Sequence, residues 1–275
     1  MELQRLGMDI VGGCNLKCVG CPNSTLDRPI RFTTFDDFKI FLHNIDVSHV
    51  CFFKLYNFGE SFLHPEIGKM ISIIPKQKWS VKHIELSTNG QIIDEKKITD
   101  VLSNKRVTRF GISCDGNCSA EQYEQLRVGA KWDKLMTFMD MCSRIHSDVK
   151  SKAKIYLKII CTGNKPEWER LAKKHKFSIE WLNWRRPPDS IKYINVEKRK
   201  LHKPCHYVLS TRTRCFVGWE GSVVPCCCHP KAAVFGNLRT KKFSSIYNGA
   251  KRKRFIASMK RGRLSHPVCG NCEIK

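Results

Sequence analysis

At 275 residues, 41% of them hydrophobic, the chain is long enough to bury a full-sized core and reads as neither disordered nor repetitive. Its 49 Lys and Arg against 25 Asp and Glu give a formal charge of +24, which favours anionic partners. The 15 cysteines are an odd number and the opening MELQRLGMDI lacks a long apolar stretch, so neither a disulfide framework nor a membrane span is expected, and a reducing, cytoplasmic setting is.

Along the chain, apolar β-branched runs alternate with helical patterns. The expected strands are LGMDIVG, HVCFFKLYNFG from His49, HIELSTNG from His83, RFGISCDG from Arg109, AKIYLKIICTG from Ala153 and FSIEWLNW from Phe177. Helices are expected over 34–45, from Pro65 in PEIGKMISII, and over 94–102, 120–129, 131–147 and 166–175. Six strand–helix units predict an α/β fold with parallel strands and crossover helices, either an open sheet or a partial (β/α)6 TIM-type barrel. Ligands in such folds gather at the carboxyl ends of the strands.

Polar and glycine residues follow the strands in turn. The first strand runs into Cys14, Cys18 and Cys21 in GCNLKCVGCPN; the next three end in Phe58-Gly59-Glu60, Ser87-Thr88-Asn89-Gly90 and Ser113-Cys114-Asp115-Gly116. Taken singly, each of the last three is an ordinary turn. The cysteine triplet is more specific, because three thiolates leave one iron of a four-iron cluster without a protein ligand and open to a cofactor or substrate. A zinc site is the alternative for the same spacing.

Beyond Lys203 the barrel pattern stops and cysteines return: Cys205, Cys215, Cys226-Cys227-Cys228, Cys269 and Cys272. A unit of roughly eighty residues needs a metal staple more than a large core of its own. Zinc and an iron–sulfur cluster both suit it, and any of Cys226, Cys227 and Cys228 could ligate. Cys51, Cys114, Cys118, Cys142, Cys161 and Cys215 are expected to behave as small buried hydrophobes.

Charge is uneven. Residues 1–150 carry 20 Lys and Arg against 18 Asp and Glu, residues 151–220 carry 17 against 6, and residues 221–275 carry 12 against 1. Lys251 to Arg254, with Lys260, Arg261 and Arg263, fall on an expected helix whose opposite face holds Phe255, Ile256 and Met259. Such a face is either simply solvated or attracts phosphate-bearing partners, nucleic acid included. Trp181, Trp184 and Trp219 are candidate stacking residues or core, and Lys158, Arg185 and Arg186 sit where an anionic group could be held.

The CxxxCxxC triplet and the strand-end segments together resemble the radical S-adenosylmethionine (SAM) enzymes, and the likeness covers most of the barrel. It implies that Cys14, Cys18 and Cys21 hold a 4Fe-4S cluster that binds SAM and cleaves it to a 5′-deoxyadenosyl radical. It further implies that Gly59 and Glu60 of GESFLHPE meet the SAM amino group, that Ser87 and Asn89 of STNG lie by the ribose, and that Ser113 and Asp115 of ISCDG, with Arg127, reach the carboxylate and ribose. Gly20 stands where the family carries a larger residue against the adenine, so packing is expected from Pro22 or near Ile160.

Cys205, fifteen residues, Gly221, four residues, Cys226, then 42 residues before CGNC resembles the auxiliary-cluster unit of the SPASM and twitch subgroup, the shorter twitch form especially. That resemblance implies a core at 1–190 and an auxiliary unit at 191–275, with Cys205, Cys226, Cys269 and Cys272 holding a second 4Fe-4S cluster. The layout is similar to that of a twitch enzyme that oxidises an aminocyclitol alcohol, implying a net oxidation in which the auxiliary cluster accepts an electron. The implied partners are a small-molecule or anionic substrate (sugar, nucleotide or peptide) and an external one-electron donor such as flavodoxin or ferredoxin. Modification of a peptide, nucleotide or nucleic acid by the same chemistry stays open, and from a different class so does a zinc-stapled nucleic-acid-binding protein without catalysis.

Overall fold

The computed structural model describes residues 1–26, 28–183, 205, 213–264 and 266–272. Trp184, Arg185, Arg186, the expected boundary at 190/191 and the Cys161 side chain lie outside them. Six parallel strands form, the last five on the expected apolar runs and the first shifted four residues toward the N-terminus of LGMDIVG: β1 (Glu2–Met8), β2 (His49–Lys54), β3 (Ser80–Thr88), β4 (Val107–Gly116), β5 (Lys154–Cys161) and β6 (Ser178–Leu182). Between them run α1 (Phe35–His43), α2 (Ile67–Ile73), α3 (Glu95–Leu102), α4 (Ala120–Leu126), α5 (Trp132–Asp148) and α6 (Lys165–His175). Side-chain caps fix three of these starts: the Thr34, Asp94 and Ser119 oxygens accept from the N–H of Asp37, Lys97 and Gln122.

β1 ends at Met8 and β2 at Lys54, each short of its apolar run. The cause is a side chain: Asp9 takes the N–H groups of residues 57–59, so the backbone there leaves the ladder.

The C-terminal unit is built onto the same sheet. β7 (Arg214–Val217) pairs parallel with β1 from Arg5↔Arg214 to Met8↔Val217, and β8 (Ser222–Val224) and β9 (Gly236–Asn237) continue antiparallel, giving the order β6-β5-β4-β3-β2-β1-β7-β8-β9. Cys215, Val217, Val223, Leu238, Phe243 and Ile246 belong to the main core with Leu6, Phe41 and Phe53. Helix α7 (Phe243–Tyr247) and its approach are tied to α1 and the loop after it: Asn44 donates to the Leu238 carbonyl at 2.6 Å, Arg239 pairs with Asp37 at 2.8 Å, and the Ser244 N–H donates to Asp46 at 2.8 Å. A second, smaller cluster joins Cys226, Cys228, Ala232 and Cys269 to Phe255 and Met259 of α8 (Ala250–Arg261). Cys114, Cys142 and Cys215 are buried in the main core as small hydrophobes. Among the described residues no helix is long and apolar enough to cross a membrane.

Because the C-terminal unit shares the barrel core, truncating its central ring should loosen the whole chain. Phe243, fully buried, replaced by Ala is expected to cost about 3–5 kcal/mol. Denaturant unfolding followed by far-UV circular dichroism should show one shifted transition; an unchanged barrel transition with an early minor phase would mean that the units unfold independently.

Candidate active site

The carboxyl ends of β1 to β5 surround the loop that carries Cys14, Cys18 and Cys21. The loop is strapped to the end of α4 by two backbone bonds, Lys17 N–H to the Val128 carbonyl (2.9 Å) and Val19 N–H to the Leu126 carbonyl (2.8 Å). Its far side is braced by Asn23, which donates to the Phe58 carbonyl at 2.5 Å and accepts from Arg28 at 3.1 Å. The three thiols interact electrostatically with one another. Burial pushes Cys14 and Cys18 up to about 12 and raises Cys21, so a metal bound there would have to displace the thiol protons. Among the described residues no three Cys, His, Asp or Glu side chains converge closely enough to ligate a single ion.

A chain of buried contacts sets this loop against its neighbours. The Asp9 carboxylate, 1% exposed, accepts from the N–H of Asn57 (2.9 Å), Phe58 (2.9 Å) and Gly59 (3.0 Å). Gly59 lies so close to the Val11 carbonyl that a Cβ could not be accommodated. The next residue, Glu60, donates its N–H to the Gly13 carbonyl (3.0 Å), while its carboxylate accepts from Phe62 N–H (3.0 Å) and Asn89 N–H (2.8 Å). Asn89 in turn donates to Asn15 (2.8 Å) and reaches Cys14 Sγ at 3.7 Å. Thus Gly59, Glu60 and Asn89 are brought together beside the triplet.

Asp115 and Arg127 form a buried pair at 2.6 Å, and the other Asp115 oxygen accepts from Ile160 N–H at 3.0 Å. The Arg127 charge is felt at Cys18. Among the described residues Arg127 Nε and Asn57 Nδ2 are buried with no hydrogen-bond partner. Each such orphan costs about 1–3 kcal/mol, so a polar ligand is the natural complement to both. Ser87 and Ser113 face each other across β3 and β4 at 3.5 Å.

Next to these residues opens a cavity of about 360 Å³, within the range of small-molecule sites. Its walls include Gly20 (φ +73°) and Ile160. The expected adenine-packing candidate Ile160 and the small Gly20 therefore face one space. The remaining walls are polar for a barrel interior: Arg5, Lys54, Tyr56, Asn57, Glu85, Lys158 and Glu180. Glu85 accepts from Lys54 (2.8 Å), Tyr156 (2.7 Å), Arg109 (3.2 Å) and Tyr56. Burial alone would raise its carboxyl; Lys54 and these donors hold it down, to about 2. Lys158 is less well served. It reaches Ser87 Oγ at 3.4 Å and lies 4.7 Å from the Tyr56 ring centroid, and burial, with Lys54 nearby, brings its ammonium down to about 8. Asp9, Lys54, Tyr56, Asn57, Glu85 and Tyr156 had not stood out in the sequence. The available signal was charge or hydroxyl inside otherwise apolar strand runs.

The C-terminal cysteines also converge. Burial pushes Cys269 up to about 12, with Cys226, Cys205 and Cys272 close enough to add to the rise. The Cys226-Cys227-Cys228 run splits by direction. Cys226 and Cys228 pack with Cys269, and the bond from Cys228 lowers Cys226 while raising itself. Cys227 instead packs also against Phe58, Phe216 and Val224, in the wall of the cavity.

The profile of the radical SAM superfamily matches residues 8–173, and that of an iron–sulfur cluster-binding domain, SPASM, matches residues 205–273. No curated protein matches the chain in sequence. Among solved structures the chain is similar to BtrN in complex with AdoMet and 2-DOIA, at 16% identity over 99% of this chain and 93% of that chain, with a TM-score of 0.62. It is also similar to anSMEcpe with bound AdoMet, at 16% identity over 99% and 89% with a TM-score of 0.66, and to the same protein with AdoMet and the Cp18Cys peptide, at 18% over 98% and 88% with 0.65. At these identities the likeness is one of fold.

Asp9 offers a direct check on the clamp. Burial raises its carboxyl to about 6 against the pull of three N–H donors and Arg28. Its native value lies above the unfolded one of about 3.9, so its contribution to stability is present below about pH 4 and lost as pH rises to about 6. The stability of cluster-free wild type relative to Asp9→Asn should fall across that window by about 3 kcal/mol and be flat above it. A difference independent of pH would mean that folding leaves the Asp9 carboxyl at its unfolded value.

Proposed function

The chain belongs to the radical SAM superfamily and carries a SPASM domain, and on that premise we propose that it is an oxidising enzyme acting on a small anionic substrate held between two cysteine sets. Membership brings a 4Fe-4S cluster with SAM, and the SPASM domain an auxiliary iron–sulfur cluster. Cys14, Cys18 and Cys21 are the ligands we assign to the first, and Cys205, Cys226, Cys269 and Cys272 to the second. When bound, these groups supply a 5′-deoxyadenosyl radical for hydrogen abstraction and an acceptor for the electron left behind.

What the chain's own residues do follows from their placement. Glu60 and the backbone around Gly59 are fixed by Asp9, so an ammonium meets a carboxylate that cannot swing away. The orphaned Arg127 Nε offers a donor for a carboxylate, held in place by Asp115. Ser87, Asn89 and Ser113 offer hydroxyl and amide groups for a ribose. In the cavity Glu85 is already paired with Lys54 and Arg109, which leaves Lys158, with Arg5, as a cation with donor capacity to spare. Lys158, as an ammonium, can orient an anionic group of the substrate.

The observation that carries this reading is the convergence of the triplet, the orphaned Arg127 Nε and the cationic cavity at one end of the sheet, with Cys227 of the auxiliary unit in the cavity wall. BtrN is solved with the small molecule 2-DOIA and anSMEcpe with a peptide. A cavity of about 360 Å³ favours the small-molecule alternative here.

Two measurements test the proposal. Anaerobically reconstituted wild type should hold about eight irons and form 5′-deoxyadenosine with dithionite, and the Cys14/Cys18/Cys21→Ala variant about four irons and none. Zinc in place of iron, or no deoxyadenosine from wild type, would overturn the enzyme reading. In a screen of phosphorylated, carboxylated and neutral sugars and nucleotides, an anionic compound should raise deoxyadenosine formation, and Lys158→Met should raise its apparent KM by about tenfold or more. Equal response to neutral analogues would remove Lys158 as the anion holder.

A further inference from the structure

Helix α8 has two unlike faces. Phe255 and Met259 point inward onto Cys226, Cys228 and Cys269, with the Phe255 ring edge-on to Phe235 (5.4 Å) and His266 (5.3 Å). Arg252 folds back over Tyr247, 3.5 Å from its ring, and donates to the Tyr247 carbonyl at 3.1 Å. The outer face presents Lys251, Lys253, Arg254, Lys260 and Arg261, all exposed, around exposed Ala257. Among the described residues none of these five cations makes an ion pair.

This arrangement works against the helix itself. Lys251, Lys253 and Arg254 stand in the first turns, where the helix dipole favours acids, and no acid is present there. Lys251 and Arg254, three residues apart, add repulsion of a few tenths of a kcal/mol. Lys260 and Arg261 suit the last turn, whereas the charge of Lys251, Lys253 and Arg254 is turned outward at a cost to the helix. The helix is also the roof of the auxiliary cysteine set, and an α-helix is only about 10–12 Å across. A partner seated on the outer face would lie one helix thickness from Cys226 and Cys269.

We propose that the outer face of α8 is the docking surface for an acidic one-electron carrier protein, which exchanges electrons with the auxiliary cluster beneath it. The inference rests on the assignment of that cluster to Cys205, Cys226, Cys269 and Cys272. Charge complementarity identifies the carrier as acidic, and proximity to the cysteines identifies it as a redox protein rather than a nucleic acid. The outer face also lacks the aromatic side chains on which single-stranded bases stack. The step is a one-electron transfer: the carrier's reduced cofactor loses an electron and the auxiliary cluster gains it, or the reverse when the cluster is discharged after turnover.

The test uses reconstituted holoprotein and a reduced bacterial flavodoxin in stopped flow, reading the bleaching of cluster absorbance. Lys253→Glu/Arg254→Glu/Arg261→Glu should slow bimolecular reduction by about tenfold or more at low salt and abolish most of its salt dependence. A control with the same charge change elsewhere, Lys105→Glu/Arg106→Glu/Lys134→Glu, should slow it far less. Reduction by dithionite and iron content should be equal in all three. Equal slowing by both variants would overturn docking at α8 in favour of general attraction, and no slowing by either would overturn it outright. If the α8 variant instead loses affinity for duplex or single-stranded RNA while flavodoxin reduction is unchanged, the face serves nucleic acid and the proposal fails. Absence of iron from the wild type, by contrast, counts against the cluster assignment and not against the surface.

Discussion

The site depends first on one buried carboxylate. Asp9 gathers the N–H groups of Asn57, Phe58 and Gly59, and this fixes the separation between the ends of β1 and β2. From there each contact inherits its position from the one before: Gly59 against Val11, Glu60 against Gly13 and Asn89, Asn89 against Asn15 and Cys14. Those groups come from separate strand ends, and their geometry would drift without a rigid link between them. A carboxylate is suited to this because it can accept several bonds in one plane, and burial removes water as a competitor. The cost is an ionisable group in the core, visible in the raised pKa of Asp9.

Much of the architecture was legible because period and composition acted locally. Strands β2 to β6 and the crossover helices lie where β-branched runs and capping residues placed them, and the strand-end motifs fell on one end of the sheet as parallel topology requires. Strand ends were less legible, since the apolar runs HVCFFKLYNFG and LGMDIVG continue past the point where Asp9 draws the backbone away. The pairing of β7 with β1 was not legible at all. It joins residues about two hundred apart, and nothing in a four-residue strand such as RCFV identifies its neighbour. The Glu85 network was hidden for a related reason: Lys54, Glu85, Arg109 and Tyr156 alternate along their strands as surface residues do, and only the assembled sheet brings them together on one face.

The positive charge of the chain divides into two physical kinds. Inside the cavity, Lys54 and Arg109 are spent on Glu85, so their number says little about binding; Lys158, with one long hydrogen bond, is the informative cation. Outside, Lys251, Lys253, Arg254, Lys260 and Arg261 of α8 make no ion pair among the described residues and face water. Buried charge is held to a fixed position by what it pairs with, whereas surface charge acts at long range and is screened by salt. The first kind can orient a substrate, and the second can speed the approach of a partner.

Continuity of the sheet ties these two uses together. Were the C-terminal unit a separate body on a linker, the distance from its cysteines to the cavity would vary. Instead β7 is hydrogen-bonded to β1, the strand that leads into Cys14, and Phe243 and Ile246 share the core of the barrel. Cys227 can therefore stand in the cavity wall while Cys226 and Cys228, its immediate neighbours, face Cys269. Cys227 thus touches both the cavity wall and the C-terminal cluster, while Cys226 and Cys228 lie within that cluster. A rigid shared sheet makes that division meaningful, because it fixes the cysteine set, the cavity and the basic helix above it in a single order.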